Sequence, residues 1–221
     1  MNQYVIKFSK QGYICYTSHL DLLRLFKRSF KKAGVKLSHS QGFNPHPKLG
    51  FAQPLSLGYS SITEYLEFET VDKWNTSILK SLIEEQMPEG IEIHECVEYD
   101  EKKSMAARCV EAEYIIGIPM GKPLEQEPAE VLEAFLAQEE IMVPKRQKKS
   151  KKMKDVNIRE KIRVLNAVIV EGDTMILTAI LDSGSESNLS PELLIQALTK
   201  FMGIETDRAE MNVMRTKLSF E

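Results

Sequence analysis

Tyr4-Val5-Ile6-Lys7-Phe8, and after it Thr17-Ser18-His19-Leu20-Asp21 running on to Ala33-Gly34, set the architecture of this chain. The first run alternates and is β-branched or aromatic, so it predicts a strand. In the second, Ser18 can accept from the amide three residues on, where Asp21 supplies the acidic partner of a capping box. Leu22, Leu23, Phe26, Phe30 and Ala33 recur every three to four residues, and Gly34 suits the position after a helix end, so a helix is expected over 18–33.

The same signals repeat outward. Strands are expected at 62–70 and 91–97, with a helix at 75–86 stopped by Pro88 and Gly90. Between 40 and 55, three prolines within ten residues (Pro45, Pro47, Pro54) exclude an ordinary central strand, so this part predicts a broken strand and a long ordered loop. After a charged stretch at 100–108 the order recurs: strand 113–119, helix 128–138, strand 162–170, a Glu171-Gly172-Asp173 turn and a strand at 174–181. A helix opened by Ser190-Pro191 and ended at Gly203, and a last strand over 209–220, complete it. Two β-α-β-β-α-β series imply an α+β protein of two tandem ferredoxin-like domains with antiparallel sheets. The expected boundaries are 1–104, with its proline-rich loop at 40–55, and 105–221, with a basic loop at 144–161.

Composition narrows the classes of function. The 221 residues, 43% hydrophobic and 28% charged, are enough for a real core. No apolar run approaches the roughly 18–20 residues needed to span a bilayer, and no signal peptide is visible. Cys15, Cys96 and Cys109 are far apart and form no CxxC pair, which fits a reducing compartment and removes a cysteine-rich zinc site. A cytoplasmic protein without a membrane partner is expected. Neither GxGxxG, a P-loop nor a serine elbow occurs.

Net charge is −3, but its distribution is uneven. Between Lys145 and Arg163, ten basic residues against two acidic ones carry +8, leaving −11 on the remainder. Lys145, Arg146, Lys148, Lys149, Lys151 and Lys152 form an arm with no apolar residue to pack, suited to holding an RNA backbone and lacking the aromatics that would stack on bases. On the first helix Arg24, Lys27, Arg28 and Lys31 share one face, a candidate phosphate-binding stripe. The segment Ser38-His39-Ser40-Gln41-Gly42-Phe43-Asn44-Pro45-His46-Pro47-Lys48 holds polar tips on a stiff backbone, where sites are commonly placed. Asn44, His46 and Lys48 are its candidate RNA contacts. His19 and His46 are the candidate acid–base pair for a histidine-dependent nuclease or hydrolase. His19 and Asp21 sit on different helix faces, so no metal site is expected.

Lys7-Phe8-Ser9-Lys10, Ser18-His19-Leu20-Asp21, the Gly42-Phe43-Asn44-Pro45-His46-Pro47 loop and Arg215-Thr216 resemble the radical-SAM-linked domain family. These are bacterial proteins that occur alone or as the C-terminal extension of a cobalamin-binding-type radical SAM protein. The resemblance spans most of the chain and implies a separately encoded radical SAM enzyme as partner; it carries over no catalytic residue. The chain has no CxxxCxxC, so it holds no iron–sulfur cluster of that kind, and no cofactor is expected. Tandem ferredoxin-like domains also resemble, in architecture only, the CRISPR repeat-processing endoribonucleases. Their glycine-rich loop is matched here by Phe201-Met202-Gly203-Ile204-Glu205, with one glycine.

The expectation is therefore an accessory protein that is not itself catalytic, binding a structured RNA for a radical SAM RNA-modification enzyme. Two other classes stay open. One is the histidine-dependent hydrolase; the other is a protein-interaction module that docks on the radical SAM partner through the proline-rich loop.

Overall fold

The computed structural model describes residues 2–121, 126–147, 151–170 and 174–221. The fold is mixed α+β, and every strand pair with a defined register is antiparallel. The chain divides into two compact units: Met1–Cys109 together with Lys217–Glu221, and Val110–Thr216.

In the first unit, β1 (Asn2–Lys10) leads through a 3-10 turn (Gly12–Tyr16) into α1 (His19–Lys32). Then follow β2 (Leu49–Phe51), β3 (Ser60–Thr70), α2 (Thr76–Glu84), β4 (Ile91–Glu98) and the single turn α3 (Met105–Arg108). The strands lie in the order β4-β1-β3-β2. Period-two alternation puts Tyr4, Ile6 and Phe8 on one face of β1. There they meet Leu22, Phe26 and Phe30 of α1, Leu66 and Phe68 of β3, and Leu79 and Ile83 of α2. Phe8 packs edge-on against Phe26, with ring centres 5.1 Å apart, and Phe30 lies 4.6 Å from Phe68. Each of these fully buried side chains contributes roughly 1.5–3 kcal/mol relative to exposure.

Lys10 is the fourth residue on that face and is 1% exposed. Its ammonium donates to the carbonyl oxygens of Cys15 and Thr17, both at 3.1 Å. A buried cation is tolerated only where its donors are met. Here they bind down the turn that carries the chain from β1 into α1, a link that the sequence pattern does not reveal. The cap of α1 meets the first half of the capping-box expectation, with the Asp21 amide donating to Ser18 Oγ; the Asp21 carboxylate returns the contact through the Ser18 hydroxyl, which donates to Oδ2 at 2.7 Å.

The proline-rich segment is more ordered than a loop. Ser38 N–H donates to Glu69 O and Val71 N–H to Lys36 O, so residues 36–38 run beside the end of β3. His39 bridges Pro47, Ser40 N–H donates to His46 O, and Lys48 N–H donates to Ser38 O. The prolines sit where no ladder donor is needed, which is how a strand-like ribbon accommodates them. The stretch 100–108 likewise is not featureless: Ser104 caps α3, and Glu67 Oε2 accepts from the Met105 amide at 2.7 Å.

The second unit contains β5 (Cys109–Pro119), α4 (Pro128–Leu136), β6 (Met142–Arg146), β7 (Met153–Asn157), β8 (Ile162–Val170), β9 (Thr174–Asp182), α5 (Pro191–Met202) and β10 (Asn212–Phe220). The residues of β10 from Lys217 onward belong to the first unit. The order is β10-β5-β9-β8, and β6 and β7 form a separate two-stranded ribbon. Tyr114, Ile116 and Ile118 of β5 and Met175, Leu177 and Leu181 of β9 alternate into a core covered by Leu132 and Phe135 of α4 and Leu194 and Leu198 of α5. Ser190 caps α5 with Pro191 in its first turn, and Gly203 ends it in the left-handed region at φ +64°. The expected turn at 171–173 lies outside the described residues.

In place of the basic loop expected over 144–161 there is a paired ribbon. Lys145 lies directly opposite Lys154, and Val143 opposite Val156. Buried Val143, Ile141 and Ile158 anchor its base, which offsets the repulsion between the facing lysines.

Of the glycines described in the first unit, Gly90 is the most closely approached. Its φ is +90°, Gln11 N–H donates to its carbonyl at 2.8 Å, and a β carbon there would lie 2.3 Å from Gln11 O. Gly34 also has positive φ (+73°) but faces open space. Gly90→Ala is expected to lower stability by about 4 kcal/mol or more, whereas Gly34→Ala should cost about 1–2 kcal/mol from backbone conformation alone. Urea unfolding of the two variants measures the difference.

Candidate nucleic-acid interface

On α1 the apolar stripe faces the sheet, so Arg24, Lys27, Arg28 and Lys31 fall on the solvent side, as their spacing predicts. They are not equivalent. Arg24 Nη1 is 2.8 Å from Asp21 Oδ1, and both side chains are exposed. The Ser18 hydroxyl first, and Arg24 second, hold the Asp21 carboxyl below the usual range. Among the described residues, Lys27, Arg28 and Lys31 have no ion-pair partner.

Lys27 and Lys31 stand over a groove of about 590 Å³, within the size range of ligand sites. Its apolar lining includes Val35, Leu37, Pro47 and Val71, and its rim adds Lys36 and His39 to the two helix lysines. Among the described residues no carboxylate lines it. A smaller pocket of about 240 Å³ near β2 includes Glu67 and Glu69 and would repel an anion; a third, in the second unit, is lined by Glu133 and has no cation. The ribbon at 36–48 thus carries the positive helix face onto an apolar surface.

The loop candidates divide. Lys48 Nζ is 2.8 Å from Glu69 Oε2. The register that pairs Leu49 with Phe68 brings these two residues opposite one another, so Lys48 is neutralised within the fold. Asn44 and His46 are exposed near the tip of the ribbon. Phe43 beside them is wholly exposed, which is unusual for an aromatic side chain. His46 donates its backbone N–H to Ser40 Oγ at 3.0 Å. His39 Nδ1 is 3.1 Å from Leu37 O. A carbonyl only accepts, so this nitrogen carries the proton and Nε2 is left as an acceptor in the neutral ring.

His19 is half-buried, with its ring 5.3 Å from that of Phe51 in an edge-on contact. No hydrogen bond, ion pair or ring contact joins it to His46. Among the described residues no cluster of His, Cys, Asp and Glu could hold a metal ion, and no helix is long and apolar enough to cross a membrane.

In the second unit, Lys145, Arg146, Lys151, Lys152 and Lys154 are exposed on the ribbon, and Lys151 adopts φ +55° at its turn. Lys148 and Lys149 lie outside the described residues. Other cations of the basic segment are engaged within the fold. Arg159 Nε donates to Leu136 O at 2.7 Å, and Arg163 Nε donates to buried Asp182 at 2.6 Å, which pushes the Arg163 pKa further up. The positive charge presented to solvent is thus narrower than the segment count suggests.

Lys36, His39, Pro47 and Val71 were not legible as parts of one site. Val35-Lys36-Leu37 does carry the alternation of a short extended piece with its cation outward, a signal hidden by the surrounding turn formers.

The Glu69 carboxyl is held below its ordinary range, chiefly by the hydrogen bond from Lys48. A carboxylate with a depressed folded-state pKa adds stability above its unfolded pKa and loses it as pH falls through the folded value. Lys48→Ala is therefore expected to raise the Glu69 pKa toward that of a free glutamate and to shrink the loss of stability on acidification. Carboxyl titration by NMR, with unfolding followed from neutral pH to pH about 3, checks both.

The chain aligns in three dimensions with a chain from the crystal structure of a Cbf5–Nop10–Gar1 complex. It is 12% identical, covers 97% of this chain and 48% of the other, and the TM-score is 0.54. A chain of the archaeal box H/ACA sRNP Nop10–Cbf5 complex is 11% identical over 97% of this chain and 47% of that one, with a TM-score of 0.49. At such identity the first match speaks for the fold alone, and the chain spans about half the length of the chains it matches. No curated protein matches in sequence. The family model that fits residues 3–191 is described as an uncharacterized protein conserved in bacteria, and the chain belongs to that family, DUF2344.

Proposed function

We propose that the protein is an RNA-binding accessory factor, built from two ferredoxin-like units, that serves a separate radical SAM RNA-modification enzyme. The observation that carries this reading is a set of cations without ion-pair partners among the described residues, Lys27, Lys31 and Lys36 on the rim of the apolar groove of the first unit, with Arg28 beside them on α1. An overall acidic chain that leaves such a stripe uncompensated favours a polyanion there, because each phosphate contact releases a counterion. The basic ribbon offers a cationic surface of the second unit. It would position a backbone and read no bases, since it presents no aromatic side chain.

The strand orders support the ferredoxin-like assignment: with the strands of the main sheet counted within each unit and the β6–β7 ribbon left aside, both read 4-1-3-2, with helices after the first and third strands. The radical SAM partner rests on the sequence resemblance. A second role, docking on that enzyme, is favoured by one feature, the exposed Phe43 at the tip of the proline-rich ribbon. There Asn44 and His46 supply polar specificity beside an aromatic anchor.

Binding of a labelled structured RNA over a salt series tests the reading. Affinity is expected to fall steeply with salt. The triple variant K27A/R28A/K31A should bind at least about tenfold more weakly and flatten the log–log salt slope by about 2–3. Binding that ignores salt, or is unchanged in the triple variant, overturns it. Phe43→Ser should leave RNA affinity intact and remove co-purification with the radical SAM enzyme from RNase-treated lysate.

A further inference from the structure

We infer that the groove beside α1 receives an unpaired base, making the first unit a reader of single-stranded RNA segments; the inference rests on the RNA-binding reading above. A duplex turns its phosphates and sugars outward and keeps its base faces stacked, and a cationic stripe on a convex surface would suffice to hold it. This groove has the two-part chemistry of a nucleotide site. Its walls are apolar, Leu37, Pro47 and Val71, with Val35 at the bottom. Lys27 and Lys31, four residues apart on α1, have β carbons about 5–6 Å from one another, close enough to share one phosphate or hold two neighbouring ones. Lys36 adds a third ammonium on the same rim.

Two further observations favour a base over another apolar anion. Among the described residues the groove includes no carboxylate to oppose the backbone that must enter with the base. His39 offers an acceptor at Nε2, because Nδ1 is committed to the Leu37 carbonyl. The exocyclic amine of adenine, cytosine or guanine, or the ring N–H of guanine or uracil, is a matching donor that an unpaired base exposes. An acyl chain would use the walls and the lysines but leave that acceptor unmatched. Pro47 fixes one wall through a restricted backbone, so the cleft exists before the ligand arrives.

The test compares a short single-stranded RNA carrying one 2-aminopurine with its blunt duplex, using the full chain. The wild-type protein should prefer the single strand and change the 2-aminopurine emission. Val71→Gln is the decisive variant: Val71 is 57% exposed, so the change spares the core while filling the groove with a polar chain that cannot stack. It should lower single-strand affinity about tenfold, roughly the worth of one base contact, and leave duplex affinity unchanged. His39→Ala should weaken single-strand binding and leave duplex affinity unchanged.

Equal loss on single strand and duplex, or no loss on either, overturns the base site while leaving RNA binding standing. Absence of binding to any RNA at low salt overturns both readings. Binding to anionic phosphatidylglycerol vesicles and to neither RNA reassigns the groove to an amphiphile and overturns it as well.

Discussion

The packing of α1 on β1 and β3 is the constraint from which the rest of the first unit follows. Once Leu22, Phe26 and Phe30 are committed to Phe8, Phe51 and Phe68, the helix cannot rotate about its axis without exposing them. That fixed rotation decides where Arg24, Lys27, Arg28 and Lys31 emerge. Buried Lys10 reinforces the same geometry by tying the carbonyls of Cys15 and Thr17 to the end of β1. A cation inside the protein therefore serves the entry angle of α1, and the cations outside inherit their placement from it.

Charge in this molecule is sorted by whether a carboxylate lies across the nearest strand or turn. Lys48 meets Glu69 because β2 pairs with β3 in one register, and Arg163 reaches Asp182 because β8 runs beside β9. Ser187 also donates to Asp182, at 2.6 Å, so this buried carboxylate is well satisfied. Among the cations left for a partner are those of the helix face above the groove and of the exposed part of the β6–β7 ribbon. The distinction matters physically, since a paired cation must first lose its carboxylate before it can hold a phosphate.

The cysteines follow their surroundings in the same way. Cys96, on β4, lies in the core, and burial, with Glu95 nearby, pushes its thiol up to about 12. Cys15 is raised by burial too, with Lys10 working in the opposite direction, and its thiol meets the Lys10 carbonyl at 3.6 Å. Thiols held protonated are poor nucleophiles and poor metal ligands. Both residues act as packing in the first unit.

Much of the fold was legible because its signals are local. The Ser18–Asp21 cap, the 3–4 spacing of α1, the Ser190-Pro191 start and Gly203 stop of α5, and the alternation of β1, β3, β4 and β9 each depend on neighbours within a few residues. Three features were not. The 142–157 ribbon is stabilised at its base by Ile141, Val143 and Ile158, while its like-charged strands carry no intrinsic pairing signal. The ribbon at 36–48 depends on donors from β3, which its prolines conceal. The groove joins Lys27 to Val71 across 44 positions of sequence, a proximity that only the pairing of residues 36–38 with the end of β3 creates. The amino-acid sequence alone determined which stretches are helix or strand and which faces are apolar, because those depend on short-range periodicity. Only the tertiary structure decided which cations remain unpaired and what surface they surround, because strand register places the carboxylates.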